Sequence, residues 1–354
     1  MYTLAAPPPP AGLPRASAAC TLAFLALDIA LDRAFRSRIK ARGLWPGWWA
    51  GNRLGPRHGR PRPPSPPLQA WFARTNPRLT PRALDVATTE AIVKLVGTVH
   101  LAIQLPLCLA VIRDAAFAHG FDNPATLYAS TPASHAAVAI STGYFLWDVW
   151  SLGARVASAK ASKTDDAPSP GFLFHGALCA TAFMYGTRTG FLSYYGAVFL
   201  LWEASTPAVY ARWLLATAGL THSRAYVAAG ISMIVTFFGA RIAFGLAASA
   251  RWWAVAAREL AAPTPRGVSP AVLWSYNVAN VGMCCLNLYW FSRMRAGAAK
   301  LASARSSPAV SPAGSPARAA PKGGDRWASP ARLWGSPARV MTPRALGRAL
   351  GAEE

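Results

Sequence analysis

Between residues 87 and 293 the chain returns six times to a long apolar run, at 87–112, 134–152, 171–187, 191–217, 225–248 and 271–293. Most of these runs are close to the ~20 residues that a helix needs to cross about 30 Å of hydrocarbon. None alternates apolar and polar residues at period two, which sets aside a membrane β-barrel. A backbone inside hydrocarbon must satisfy its own N–H and C=O groups, and the α-helix does so within one segment. Composition agrees: 53% of residues are hydrophobic and 14% are charged, against roughly 25% charged in soluble domains. The expected fold class is therefore all-α, a transmembrane helical bundle of about six or seven spans with disordered basic tails.

Charge divides the chain further. The formal net charge is +22, and residues 33–82 hold twelve Arg or Lys and no acid. Residues 295–354 hold ten basic and three acidic residues, a net of +7. No aromatic-basic recognition motif accompanies either stretch, so no nucleic-acid partner is expected, and anionic lipid headgroups are the partner such segments fit. Residues 1–16 read as a disordered, proline-rich N-terminus. Residues 17–36 read as a possible first transmembrane helix, with Asp28 and Asp32 four apart on one face. Residues 37–84 form a basic Pro/Arg-rich loop, and 50–82 carry loop signals throughout. The transmembrane domain covers 85–298, and Thr189-Gly190 divides two of its runs as a tight helical hairpin would. The tail, 299–354, repeats SPAV, SPAG and then SPAR three times, a composition that cannot bury enough apolar area to fold. Its Ser-Pro units are also conceivable kinase sites.

Six spans separate the basic loop from the tail, which puts both on one face. Strong positive charge marks that face as cytosolic and the N-terminus as lumenal. The loop 113–133 has a net charge of −1 and lies opposite, whereas the loop 249–270, at +2, is discordant. The five cysteines (Cys20, Cys108, Cys179, Cys284 and Cys285) all lie in apolar stretches. Their odd number and spacing suit neither a disulfide framework nor a metal site, and they read as packed small hydrophobes. No cofactor is implied.

Ionisable side chains at mid-membrane cost roughly 2.5–3.5 kcal/mol each, so their positions carry information. Glu90 and Lys94 stand four apart as a structural pair. His100 lies midway along its run and Asp148 near the end of its own. Arg241, in TFFGARIAFGL, cannot be deprotonated and needs a buried anion, which Asp148, Glu203 or a lipid headgroup could supply. The run VFLLWEASTPAVYARWLL places Glu203 just before Pro207. The proline breaks the hydrogen-bond ladder and frees a carbonyl near position 203, which Ser205 and Thr206 can satisfy. A kink beside a carboxylate predicts a central pocket inside the bundle.

The order GYFLWDVW, GFLFHGALCATAFMY, GFLSYYGAVFLLWEASTPAVYARWLL, ARIAF and LNLYWFSRM resembles the TLC domain over roughly residues 85–298. TVHLAI, with His100, is similar to that family's first histidine-bearing helix. The resemblance implies a bundle whose spans surround an elongated pocket for an acyl chain. Ceramide synthases of the family carry a His-His pair followed downstream by a His-Asp-x-x-Asp cluster. Here His175 matches the first histidine, Gly176 stands at the second, and Glu203 alone stands where the enzymes have two carboxylates. The Glu-x-Ser-Thr-Pro version is similar to the branch of TLC-domain-containing proteins linked with membrane lipid composition.

The leading expectation is a multi-pass endomembrane protein in lipid homeostasis that binds, senses or moves a lipid. His100, Asp148, His175, Glu203, Ser205 and Arg241 are its lipid-pocket candidates. The first alternative is a membrane acyltransferase-like enzyme acting on sphingolipids or phospholipids, with His175 as base and Glu203 as its orienting partner. The second is a trafficking or cargo receptor of the endoplasmic reticulum, working through loops and tail. Metal catalysis is not expected, since His100 and His175 lie on separate spans. The endoplasmic reticulum or a related endomembrane is the expected location. A plastid membrane is the alternative, because the first 82 residues are rich in Arg and hold only two acids.

Overall fold

A computed structural model describes residues 12–35, 67–114, 124–161, 167–262 and 268–306. Ten α-helices occur among them: α1 (Leu13–Phe35), α2 (Pro67–Thr75), α3 (Pro81–Arg113), α4 (Pro132–Ala161), α5 (Pro170–Thr189), α6 (Ser193–Leu200), α7 (Thr206–Thr217), α8 (Arg224–Phe237), α9 (Phe244–Leu260) and α10 (Pro270–Ser306). A 3₁₀ turn, Leu201–Ser205, joins α6 to α7, and a π-helical segment, Phe238–Ala243, joins α8 to α9. The ten helices thus make seven long rods and one short helix. Among the described residues, Leu13–Asp32, Pro81–Arg113 and Arg224–Leu260 are long and apolar enough to cross a membrane by length and composition.

Proline marks helix starts here. α2, α3, α4, α5 and α10 all begin on one, where the missing N–H would have no intrahelical partner in any case. Thr80 caps α3, its hydroxyl accepting from the Ala83 N–H at 3.2 Å. At the end of α5, Gly190 closes the turn in the left-handed region (φ 69°) and Leu192 follows in the same region (φ 63°). The Leu192 N–H donates to the Leu127 carbonyl at 2.8 Å, which ties this turn to the segment before α4. The turn is as tight as its Thr-Gly sequence indicates, but α6 leaves it to pack chiefly on α3 and α4.

Polar side chains lie inside the bundle along with apolar ones, and large apolar side chains lie on its outside. His100, Gln104, Ser141, Thr142, Arg241 and Asn287 are buried, whereas Leu22, Ile231, Val235, Trp274 and Val278 are exposed. Apolar side chains on the outside and hydrogen-bonded polar ones within suit a bundle whose solvent is lipid. The main core gathers Phe145, Tyr195, Trp252 and Leu273 from four rods.

Several boundaries differ from the sequence reading, and one reason serves for most of them. Hydropathy falls where a helix becomes amphipathic, yet the helix continues. Residues 249–260 continue α9 instead of forming a loop, because Trp252, Val255, Ala256 and Glu259 recur at helical spacing and are buried. α4 likewise runs on to Ala161, which makes Asp148 a mid-helix residue. Within the expected basic loop, Pro67–Thr75 is a helix that buries Phe72 against Ala87 and Ala91 of α3. The Asn76 amide then donates to the Thr217 carbonyl at 3.0 Å, docking the end of this segment on α7. α1 starts at Leu13, inside the stretch expected to be disordered, and α10 continues to Ser306 within the expected tail. The SPAR repeats and residues 36–66 lie outside the described residues.

α1 packs most closely on α4, where Gly143 leaves no room for a side chain. A Cβ there would meet Cys20 Cβ at 2.5 Å and the Thr21 backbone nitrogen at 2.8 Å. Gly153, further along α4, has open space around it. Gly143→Ala is expected to cost about 1–3 kcal/mol through overpacking. Gly153→Ala is expected to be neutral or stabilising by about 0.5–1 kcal/mol. Thermal unfolding of the purified protein in detergent separates the two outcomes.

Candidate functional site

The site is built where Pro207 interrupts the rod of α6 and α7. Between them the chain tightens to a 3₁₀ turn, and the Thr206 N–H bonds to the Glu203 carbonyl three residues back. The carbonyl this releases is that of Trp202, one position earlier than the sequence suggested. It accepts from the Ser205 hydroxyl at 3.1 Å and from Arg241 Nε at 3.1 Å.

Arg241 reaches this point from the π-helical segment, in which the Phe244 N–H bonds to the Gly239 carbonyl five residues back. Its side chain is 6% exposed, and each guanidinium nitrogen makes a hydrogen bond. Nε also donates to Ser205 Oγ at 3.1 Å, and Nη1 donates to Asn287 Oδ1 of α10 at 3.3 Å. Nη2 donates to Glu203 Oε1 at 2.8 Å and to Thr206 Oγ1 at 3.3 Å. The Thr206 hydroxyl in turn donates to Glu203 Oε2 at 2.6 Å. Of the three anions considered for Arg241, the structure supplies Glu203. A buried charge this well paired avoids the several kcal/mol of an unpaired ion.

Glu203 faces an apolar cavity of about 120 Å³, together with His175. The cavity runs alongside α5 from His175 to Gly186, a rise of about 16 Å along a helix. Phe145, Phe183, Tyr195, Trp252, Tyr276 and Met283 form much of its wall. His175 Nε2 stands 3.8 Å from Glu203 Oε1. Cys179 Sγ, one turn along α5, is 3.9 Å from Nε2 and 4.0 Å from Nδ1. Trp290 of α10 lies edge-on to His175, with centroids 5.9 Å apart.

Not all the candidates meet here. His175 and Glu203 line the cavity, Arg241 holds Glu203 from behind, and Ser205 bonds Arg241 in turn. His100 and Asp148 do not line it, contrary to expectation. His100 is buried between α3 and α4, stacked on Tyr144 at 3.9 Å, with Nε2 3.4 Å from Ser141 Oγ. Asp148 lies against α5: a Cβ on Gly176 would stand 3.1 Å from Asp148 Oδ2 and 3.3 Å from Val149 Cγ2. At the position where the ceramide synthases carry a second histidine, α4 therefore packs closely on α5. Glu90 and Lys94 pair at 2.8 Å as expected, and Arg155 of α4 joins the same carboxylate.

Sequence reading passed over Asn287 and Arg155 and took Cys179 for a packed small hydrophobe. Asn287 had a signal, an amide within the apolar run CCLNLYW. Cys179 had one too, four residues from His175 and so on the same helix face. Among the described residues no three His, Cys, Asp or Glu side chains gather as metal ligands would.

The TLC domain family matches residues 90–295, more than half of the chain. This chain belongs to that family. Its members are generally membrane proteins linked to lipid metabolism. An uncharacterized TLC domain-containing protein of Schizosaccharomyces pombe is 30% identical over 157 residues, 44% of this chain and 49% of that protein. TLC domain-containing protein 4-B of Danio rerio is 26% identical over 240 residues, 67% of this chain and 83% of that protein. The match thus spans about half the length of the yeast relative. No solved structure matches the chain.

Three outcomes follow from this TLC-domain geometry. Glu203→Gln leaves Arg241 buried without its counter-charge and is expected to cost about 3–5 kcal/mol. Combining Arg241→Met with Glu203→Leu is expected to cost clearly less than the two single changes summed. Detergent unfolding of the four proteins measures that coupling. Gly176→His, which would restore a His-His pair, is expected to lower the unfolding temperature because α4 occupies the space. Unchanged unfolding in this variant would show that α4 and α5 separate easily.

Proposed function

We propose that this protein binds a lipid inside the bundle, with the chain in the apolar cavity and the polar end at Glu203 and His175. It acts in this way in lipid homeostasis, as a multi-pass protein of the endoplasmic reticulum or a related endomembrane. The observation that carries the reading is the cavity itself. It is an apolar chamber beside α5 with a fixed, hydrogen-bonded carboxylate at one end. Ligand sites commonly have this form, an apolar wall with a few placed polar groups. Membership in a family linked to lipid metabolism supports it.

Charge supports the orientation. Arg74, Arg78 and Arg82, near α2 and the start of α3, and Arg293 and Arg295 of α10 fit a cytosolic face against anionic headgroups. On that orientation the C-terminus is cytosolic. An acyltransferase-like activity is the second reading, favoured by the His175–Glu203 approach of 3.8 Å. Against it stands Gly176 in place of a second histidine, at a position where even a Cβ would be crowded by Asp148 and Val149.

The test is to purify the full chain in mild detergent, extract it and identify the bound lipid by mass spectrometry. Gly196 lines the cavity, and a Cβ there meets Phe183 at an ordinary 3.5 Å, so Gly196→Leu fills space without breaking a close contact. It is expected to reduce bound lipid several-fold at unchanged folding. Equal lipid content in the two proteins would refute the cavity reading. Acyl transfer by wild-type protein that is lost in His175→Ala would favour the enzyme.

A further inference from the structure

The head end of the cavity has a chemistry that narrows its ligand. Glu203 carries a negative charge, but Arg241 neutralises it at 2.8 Å from outside the cavity. Of that guanidinium's nitrogens, Nε donates to Trp202 and Ser205, Nη1 to Asn287, and Nη2 to Glu203 and Thr206. Among the described lining residues the ionisable groups beside the head end are Glu203, His175 and the Cys179 thiol, and no Lys or Arg faces the cavity. An anionic head such as a carboxylate or phosphate would therefore face Glu203 with no cation of its own. A cationic head would approach a carboxylate already paired, next to the arginine that pairs it. Either ion would lose its hydration in an apolar chamber without a full counter-charge.

A neutral hydrogen-bonding head has no such penalty, and the geometry leaves a place for it. His175 Nε2 stands 3.8 Å from Glu203 Oε1 and 3.9 Å from Cys179 Sγ. The carboxylate is beyond ordinary hydrogen-bond reach for a ring nitrogen, and the thiol is at the outer limit of a weak sulfur contact. A hydroxyl oxygen about 2.8 Å from each end closes a triangle across the 3.8 Å gap between Nε2 and Oε1. It would donate to Glu203, which can accept a further bond besides those from Arg241 and Thr206, and accept from His175. The slender volume, about 120 Å³ spread over a helix rise of about 16 Å, suits one alkyl chain.

We propose that the cavity selects a single-chain lipid with an uncharged hydroxyl head, held between Glu203 and His175, over lipids with a carboxylate or ammonium head. The proposal rests on the cavity reading and adds the ligand's class to it. The probes are hexadecanol, hexadecanoate and hexadecylammonium, competing for the full-length protein in nanodiscs against a labelled hexadecanol analogue. Hexadecanol is expected to bind about tenfold more tightly than either ion. His175→Phe removes one side of the triangle without changing charge, and should cut that preference several-fold while melting normally. Glu203→Gln frees the arginine's charge and should turn the preference towards hexadecanoate. If it does not fold, His175→Phe carries the test alone. Tightest binding of hexadecanoate or hexadecylammonium by the wild type overturns this inference and leaves the cavity reading standing. An unchanged preference in His175→Phe overturns it too. Binding of none of the three overturns both.

Discussion

A guanidinium stays charged under any physiological condition, and Arg241 holds one near the middle of a 37-residue rod, Arg224–Leu260. That single fact organises the surrounding bundle. The charge needs an anion, and Glu203 supplies it from the neighbouring rod. The remaining N–H groups need acceptors, and these come from a freed carbonyl, two hydroxyls and an amide on α10. The freed carbonyl exists because the chain tightens to a 3₁₀ turn before Pro207. Three rods thus converge on one cation, and two helix irregularities serve the convergence. π-helical segments are often found at functional sites, and here the segment carries the residue that fixes the carboxylate.

The bundle contains a second carboxylate with two cations, Glu90 with Lys94 and Arg155, and the contrast is instructive. Lys94 also lies over the Trp213 ring at 4.1 Å, so this cluster joins α3, α4 and α7. Its charges pair with one another, and the ammonium also has an aromatic face. At Glu203 the cation lies behind the carboxylate, and the cavity side is left to His175. Two similar ion pairs therefore differ in what they face. One staples helices together, while the other stiffens a wall.

Much of this was legible in the sequence. The order of the rods followed from the apolar runs, and the demand of Arg241 for an anion followed from its position alone. The Glu-x-Ser-Thr-Pro element correctly signalled a break beside a carboxylate. What could not be read was depth and distance. Helix ends at residues 161, 260 and 306 lie in amphipathic or weakly apolar continuations, where falling hydropathy conceals an unbroken helix. α2 was hidden by its prolines, one of which is a helix start. His100 and Asp148 were grouped with the cavity because each is an ionisable side chain within an apolar run. The structure separates them by rotation about α3 and α4, which depends on which residues touch across α4 and α5. Gly176 is the telling case: absence of a histidine was visible, but not that a neighbouring helix had taken its place.

The π-helical segment has one more consequence. Relative to an α-helix it holds one extra residue in a turn, and each residue turns the helix by about 100°. The face that α9 presents to the core, with Trp252, Val255, Ala256 and Glu259, is therefore phased to α8 through that extra residue. Arginine and downstream face are set by the same count. A lineage of this chain could exchange side chains in Phe238–Ala243 other than Arg241, yet it could not lengthen or shorten the segment without turning everything after it. Apart from its charged pair, the site thus resists insertion and deletion more than it resists substitution.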